Sequence, residues 1–183
     1  MFKIIKLWAP HLLILGMLVV CPMVGRAEQI TQLEVSLFHP LQAYPDEYSV
    51  DGFRLDLIYG INEDLQGVDL GVVNTIKGNA HGFELGAVNR VHEDFGGWQS
   101  GLFNEVGHDF KGFQLGLFAN VARGSCTGVQ AAILFNDTEE DLRGIQFGII
   151  NTTGSLYGVQ IGFFNFNDDD KYLGFFPFIH AAF

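Results

Sequence analysis

The chain has 183 residues, with 21 Asp and Glu against 10 Lys and Arg, and a formal net charge of −11. Binding to phosphate groups needs a basic patch, so this acidic composition argues against nucleic acid as a partner. Two cysteines are too few for a disulfide framework.

Residues 1–27 have the composition of an export signal. Two lysines precede an apolar run over residues 12–20, and small residues at 25–27 offer a cleavage site. The segment carries three of the 10 basic residues and none of the 21 acidic ones, so its removal takes the net charge from −11 to −14. Lipidation at Cys21 is a second interpretation of the segment. After cleavage Cys126 is the remaining cysteine, which excludes an intramolecular disulfide.

Residues 52–166 consist of eight tandem repeats of about fifteen residues. Each repeat begins with a glycine, and the eight are Gly52, Gly67, Gly82, Gly97, Gly112, Gly128, Gly144 and Gly158. A fixed short period is typical of repeat architectures, in which each unit stacks on its neighbours because none can bury its apolar residues alone. Residues 28–51 are predicted to form an N-terminal cap, and residues 167–183 a C-terminal apolar cap or final strand.

Apolar residues recur with period two after each glycine, which predicts a strand followed by a turn. The first apolar column contains Phe53, Val68, Phe83, Trp98, Phe113, Val129, Ile145 and Val159. The second contains Leu55, Leu70, Leu85, Ser100, Leu115, Ala131, Phe147 and Ile161. The third contains Leu57, Val72, Ala87, Leu102, Leu117, Ile133, Ile149 and Phe163. These columns share one side of the strand, because side chains alternate between the two faces.

Two polar columns accompany the apolar ones. The glutamine column contains Arg54, Asp69, Glu84, Gln99, Gln114, Gln130, Gln146 and Gln160. The asparagine column contains Asn74, Asn89, Asn104, Asn120, Asn136, Asn151 and Asn165. A fourth apolar column directly follows the third one and contains Ile58, Val73, Val88, Phe103, Phe118, Leu134, Ile150 and Phe164. Two adjacent apolar residues break the alternation, so a bend or bulge is predicted just before each asparagine.

The turns carry one apolar residue two places before each glycine. This turn column contains Val50, Leu65, Ala80, Phe95, Phe110, Cys126, Leu142 and Leu156. A solvent-exposed hairpin has no need for an apolar residue at a fixed place, whereas a coil wrapped around a core does. Phe95, Phe110, Leu142 and Leu156 are therefore predicted to be buried against the apolar strand columns.

The pattern predicts an all-β fold, a parallel β-solenoid of eight fifteen-residue coils with terminal caps. In a solenoid equivalent residues stack in register about 4.8 Å apart. Identical columns of Gln and Asn are then stabilised by hydrogen bonds between the stacked side-chain amides. The alternative is a ten-stranded up-and-down outer-membrane β-barrel, with flanking strands at residues 31–38 and 172–183, acting as a narrow channel. Nearly uniform spacing favours the solenoid, since outer-membrane barrels alternate short turns with long loops.

Units such as Gly112-Phe113-Gln114-Leu115-Gly116-Leu117 resemble those of the Leptospira-type surface-repeat proteins. The similarity covers about residues 33–183. It implies export and a location at the cell surface or outer membrane of a Gram-negative bacterium, with the periplasm as a further option. It implies no activity, cofactor or catalytic residue.

Two kinds of polar grouping offer candidate metal ligands. His92 and His108 occupy similar turn positions beside acidic residues and offer transition-metal ligands. The acidic segments 136–141 and 165–170 carry oxygen ligands of the kind that Ca²⁺ prefers, but neither has the spacing of a calcium loop. Solvated polar turns are the favoured interpretation of both groupings, because turns are where such residues collect. No metal or cofactor is therefore predicted.

Asp69 and Glu84 are neighbours in the glutamine column, and two adjacent carboxylates raise the pKa of one of them unless a cation neutralises the pair. Arg54 is next to them in the column, and neutralisation of the pair by Arg54 is the favoured interpretation. No set of nucleophile and base is present in the sequence, so no catalytic residue is predicted. The expected function is that of an exported, non-enzymatic envelope protein that binds a protein or glycan through its repeat faces.

Overall fold

The computed structural model describes residues 29–170 and 174–183, so the predicted export signal and Cys21 lie outside the described residues. These residues form one sheet of twelve strands. The strands are β1 Ile30–Phe38, β2 Leu41–Gln42, β3 Ser49–Asn62, β4 Leu65–Ile76, β5 Ala80–Leu85, β6 Val88–Val91, β7 Phe95–Val106, β8 Phe110–Ala122, β9 Cys126–Ala132, β10 Phe135–Phe147, β11 Ile150–Asn167 and β12 Phe175–Ala182.

Successive repeats pair in parallel, and equivalent residues are partners. Gln99 pairs with Gln114, and the register continues through Gln130, Gln146 and Gln160. The predicted parallel β-solenoid is therefore confirmed. The alternative of ten up-and-down strands is wrong, because it required consecutive repeats to run in opposite directions.

The marker glycines permit the coils to stack closely. Gly112 has a φ of 137°, a conformation that L residues rarely adopt. A Cβ on this residue would overlap the carbonyl oxygen of Gly97 in the preceding coil. Glycine thus recurs at this position for two reasons. It adopts the positive φ without strain, and it leaves room for the backbone of the preceding coil.

The turn column lies inside the solenoid, as predicted. Its members join Ile76, Val91, Val106 and Ala122 in one buried apolar cluster. Phe95 and Phe110 stack with ring centroids 5.9 Å apart and planes 4° from parallel. The prediction that these residues pack against the apolar strand columns is wrong, because those columns point outward.

Each coil reverses direction between the second apolar column and the asparagine column. Added Cβ atoms on Gly71 and Gly86 would meet the side chains of Asn74 and Asn89 respectively, so these glycines and asparagines face each other across the interior. The third and fourth apolar columns lie between them and form the outside of this arc. Register shifts between Asp56 and Tyr59 and between Gly101 and Phe103 confirm the predicted irregularity.

The two ends of the solenoid are closed differently. At the N-terminal end β1 pairs in parallel with β3, and the short β2 folds back on β1 in antiparallel orientation. At the C-terminal end β12 pairs antiparallel with β11. Within residues 29–170 and 174–183, no helix has the length and apolar character needed to cross a membrane.

Candidate functional site

The interior of the solenoid contains two ladders of side-chain amides. Each glutamine donates from Nε2 to the preceding residue of its column, over 2.8 Å from Gln114 to Gln99 and 2.9 Å from Gln130 to Gln114. Each asparagine donates in the opposite direction, over 2.8 Å from Asn89 to Asn104. Both columns are fully buried, so these hydrogen bonds satisfy groups that would otherwise be costly to remove from water.

The last strand ends both ladders. Gln160 Oε1 lies 3.3 Å from His180 Nδ1, and Asn165 Nδ2 donates to the carbonyl oxygen of Phe176 over 3.0 Å. Burial lowers the pKa of His180, which favours the neutral imidazole. The antiparallel β12 therefore supplies a partner for each ladder at the point where no further repeat follows.

The other end of the glutamine column is charged. Arg54 forms a bidentate ion pair with Asp69, and its Nη1 also donates to Asn62 Oδ1 over 3.2 Å and to the carbonyl oxygen of Thr75 over 3.0 Å. Asp56 Oδ2 is 3.1 Å from Arg54 Nε. The structure thus brings Arg54 and Asp69 together as predicted, and all of these side chains are buried.

Glu84 is the next member of the column, and within the described residues it has no cationic hydrogen-bond partner. Its Oε2 accepts from Gln99 Nε2 over 2.7 Å, whereas its buried Oε1 accepts no hydrogen bond from those residues. Burial, with a further contribution from Asp69, raises the pKa of Glu84 to about 8. Burial likewise raises the pKa of Asp56 to about 7. Arg54 thus pairs with Asp69 but not with Glu84, and burial rather than the proximity of the two carboxyls is the main cause of the raised pKa of Glu84.

Glu84→Gln is expected to stabilise the protein in alkaline solution. Between the unfolded pKa of 4.5 and the folded pKa of about 8, the folded state binds more protons at this site than the unfolded state. The unfolding free energy of the parent must therefore fall as the pH rises through this window, by up to ~1.4 kcal/mol per pH unit. Glutamine removes this contribution and continues the amide ladder. Urea denaturation of both proteins from pH 5 to pH 9 measures the difference, and equal slopes would contradict the assignment.

The outside of the solenoid carries an uninterrupted apolar surface, which we call the apolar face. It is formed by the four apolar columns, and none of their residues is buried. Trp98 is 41% exposed, Phe113 50% and Phe163 60%. Ser100 is the one member that is not apolar, and none is charged. The surface continues onto β1 through Leu33 and Val35 and onto β12 through Phe178 and Ile179, all exposed.

The backbone under the apolar face is hydrogen-bonded even where the chain bends. The amide of Leu102 donates to the carbonyl oxygen of Ala87 over 2.9 Å, and the amide of Ile149 to that of Ile133 over 3.1 Å. Ile150 and Phe164 make equivalent bonds to the preceding coils. Because polar backbone groups are costly to bury unpaired, this pairing makes the arc suitable for contact with another apolar surface.

Acidic residues line the turn on the other side of the solenoid. Asp64, Asp94 and Asp109 each accept a hydrogen bond at Oδ1 from the backbone amide of the following coil, over 2.6, 3.0 and 2.8 Å respectively. Asn79 makes the same kind of contact to Asp94, over 3.3 Å. These side chains have a structural role in joining successive turns, and their negative charges lie in the turns and not on the apolar face.

The proposed metal ligands are not brought together. His108 Nδ1 lies 3.3 Å from Glu93 Oε2, whereas His92 Nδ1 lies 2.9 Å from the carbonyl oxygen of Ile76. In the part of the chain that the structure describes, no three His, Cys, Asp or Glu side chains are grouped so as to hold a metal ion. In the acidic segments, Asn136 and Asn165 belong to the buried asparagine ladder and accept at Oδ1 from Asn120 and Asn151 respectively, so their oxygens are unavailable for calcium.

Comparison of the chain with protein-family models, with curated proteins and with solved structures gives no match.

Proposed function

We propose that the protein is an exported, non-enzymatic component of the bacterial envelope that binds an apolar partner surface through its apolar face. The observation that carries this proposal is the reversal of the usual arrangement, with amides inside and large apolar side chains outside. Monomeric soluble proteins rarely expose a continuous apolar surface larger than a few hundred Å², and larger surfaces mark interaction sites. Parallel sheets are, moreover, normally covered on both faces.

The nature of the face favours a protein or other apolar partner over a glycan. A glycan site needs polar groups that fix hydroxyls, and the four apolar columns offer only the Ser100 hydroxyl. The repeated side chains present many similar contacts rather than one pocket of dissimilar groups, which supports a binding role over catalysis. The composition of residues 1–27 supports export.

The accessibility of introduced cysteines in cells tests whether the apolar face is covered at the native location of the protein. Phe113→Cys places a thiol on the apolar face, and His108→Cys places one on the opposite turn. The native Cys126 is fully buried, and burial raises the pKa of its thiol to about 12, so it contributes little to labelling of the folded protein. The parent chain, with Cys21 and Cys126, sets the background.

A hydrophilic maleimide is applied to cells in which only the outer membrane has been permeabilised. It is expected to label His108→Cys much faster than Phe113→Cys. The two variants should react equally after denaturation. Equal labelling of both in the cell would show an uncovered face and overturn the binding role. Recovery of the full-length chain from the cytoplasm with residues 1–27 intact would overturn the export step.

A further inference from the structure

We propose that the partner covering the apolar face is a lipid bilayer, whose acyl chains contact the face while the acidic turns stay in water. The inference rests on the proposed function, because it names the occupant of the same surface. Four features carry it: the scarcity of hydrogen-bonding groups on the face, the paired backbone beneath it, its uneven shape, and the position of the charges around it.

Hydrogen-bonding groups are almost absent from the apolar face. Its four columns of eight side chains offer two such groups, the hydroxyl of Ser100 and the indole N–H of Trp98. A specific interface between two proteins carries about ten direct hydrogen bonds, and only about 56–65% of its area is apolar. Acyl chains neither donate nor accept hydrogen bonds. The composition of the face therefore matches the interior of a bilayer and differs from that of a protein–protein interface.

The backbone under the face meets the condition that hydrocarbon imposes. The core of a bilayer holds no water, so each N–H and C=O group that enters it needs a partner within the protein. In the arc, the amides of Leu102 and Phe103 both donate to the carbonyl oxygen of Ala87, over 2.9 and 3.1 Å. The amide of Ile150 donates to the carbonyl oxygen of Leu134 over 2.8 Å. The arc can therefore enter an apolar phase with these amides paired.

The shape of the face favours a fluid partner over a rigid one. Phe83, Trp98 and Phe113 form a row of stacked rings, with successive centroids 6.5 and 5.6 Å apart. A recess of about 680 Å³ lies in the second and third columns of the sixth to eighth repeats, and Ile133 and Phe163 are among its walls. The face also bends where the third and fourth columns follow the arc. A rigid partner would have to match the row, the recess and the bend together, whereas acyl chains adapt to all three.

The acidic turns lie at the edge of the solenoid that is farthest from the arc. Five residues of extended strand separate Leu142 in the turn column from Phe147 in the second apolar column, which is about 16 Å, and the arc lies beyond Phe147. Charges in water are screened over about 8 Å at physiological ionic strength. Asp94 and Asp109 in the acidic turns are therefore too far from a bilayer at the arc to be strongly repelled by anionic headgroups.

The border of the face next to the first apolar column suits the headgroup region. It consists of the residue directly before each marker glycine: Asp51, Gln66, His81, Gly96, Lys111, Thr127, Arg143 and Tyr157. This border has two cations and one acid, whereas the whole chain has 21 acidic and 10 basic residues. Lys and Arg beside an apolar surface are typical of proteins that lie in a membrane interface, and Tyr and Trp are enriched at the depth of the headgroups.

The opposite border sets the orientation of the solenoid on the bilayer. Beyond the asparagine column the surface is charged again, where Arg90 lies 2.9 Å from Glu105. This pair stays in water only if the solenoid leans onto its first two apolar columns. Because apolar residues recur at the same positions in every repeat, the solenoid axis then lies parallel to the bilayer. Trp98 in the first column and Phe118 in the fourth both enter the outer acyl region, at the depth of about 5–10 Å that is usual for interfacial segments.

Trp98 is a native reporter of this contact. The other tryptophan of the chain is Trp8 in the predicted export signal, so the Trp98→Phe protein supplies the background. Protein recovered from cells in a dialysable detergent is dialysed together with phosphatidylcholine vesicles, with or without bromine atoms on the acyl chains, and is then separated by flotation. Bromine quenches tryptophan only at short range. The floating parent is expected to lose most of its Trp98 fluorescence in the brominated vesicles.

Two further tryptophans, each introduced into the Trp98→Phe protein, test the orientation. Phe118→Trp on the arc is expected to be quenched as Trp98 is, whereas His108→Trp in the acidic turn is expected to keep its fluorescence. Phe118→Lys is expected to lower vesicle binding about 10-fold or more, because an apolar contact is lost and a charge is brought to the acyl region. His108→Lys adds the same charge at the turn and should bind as the parent does.

A parent that does not float, or that floats without quenching of Trp98, would overturn the bilayer as the occupant. Quenching of His108→Trp as strong as that of Trp98 would do the same, because the acidic turn would then lie as deep as the face. If maleimide labelling shows Phe113→Cys to be covered in cells but the parent does not float, the binding role remains and the occupant is another protein. Equal maleimide labelling in cells would instead reject the binding role itself.

Discussion

Phe110→Ala is expected to lower the unfolding free energy by ~3–5 kcal/mol, the usual loss for a buried phenylalanine. Phe110 is 1% exposed and stacks on Phe95 inside the turn column. The neighbouring coils cannot close the resulting cavity, because their register is fixed by parallel pairing on both sides. Urea denaturation followed by circular dichroism measures the loss.

Phe118→Ala is the matched control for this change. Phe118 lies in the same repeat but belongs to the fourth apolar column and is 39% exposed. It is expected to lose no more than about 1 kcal/mol, because its removal leaves no enclosed cavity. If Phe118→Ala cost as much as Phe110→Ala, the distinction between inner turn column and outer arc would be wrong.

The repeat period was sufficient to predict strand pairing and register. Each glycine requires the same backbone conformation, and each glutamine and asparagine finds its best partner in its own equivalent one coil away. Antiparallel pairing offers no reason for such identical columns. The turn column was predicted to be buried for a similar reason, since one apolar residue recurred where a solvent-exposed turn needs none.

The sequence did not indicate which side of the strand faces inward. The rule that apolar residues lie inside placed Phe113 in the core and left Gln114 outside, and the structure reverses both. A signal was nevertheless present within the repeats. The asparagine position holds Asn in seven of the eight repeats, with Gly60 in the first, and five successive residues of the glutamine column are identical, whereas the first apolar column varies from Val to Trp. A buried amide needs a hydrogen-bond partner of matching length in the next coil, so the nearly constant polar columns mark the inside.

The shape of the apolar face could not be predicted from the sequence. It depends on Phe83, Trp98 and Phe113 being stacked in space, and on the recess formed by the side chains on either side of Ala131. The sequence showed Ala131 as an irregularity of the sixth repeat, but only the outward direction of its column makes that irregularity a recess in a surface.

Arg54→Leu is expected to destabilise the protein by ~3–5 kcal/mol at neutral pH, the usual effect of removing one member of a buried ion pair. The substitution leaves the Asp69 carboxylate buried without its bidentate partner and removes the cation nearest Asp56. The loss should shrink as the pH is lowered, because burial raises the pKa of both carboxyls and their protonation removes the unpaired charge. Arg54→Gln combined with Asp69→Gln should recover most of the stability, since the two amides would then extend the column through Glu84 to the ladder that begins at Gln99. Urea denaturation at pH 5 and pH 7 compares the three proteins. A double variant no more stable than Arg54→Leu would show that the ion pair, rather than the satisfied column, holds this end of the solenoid together.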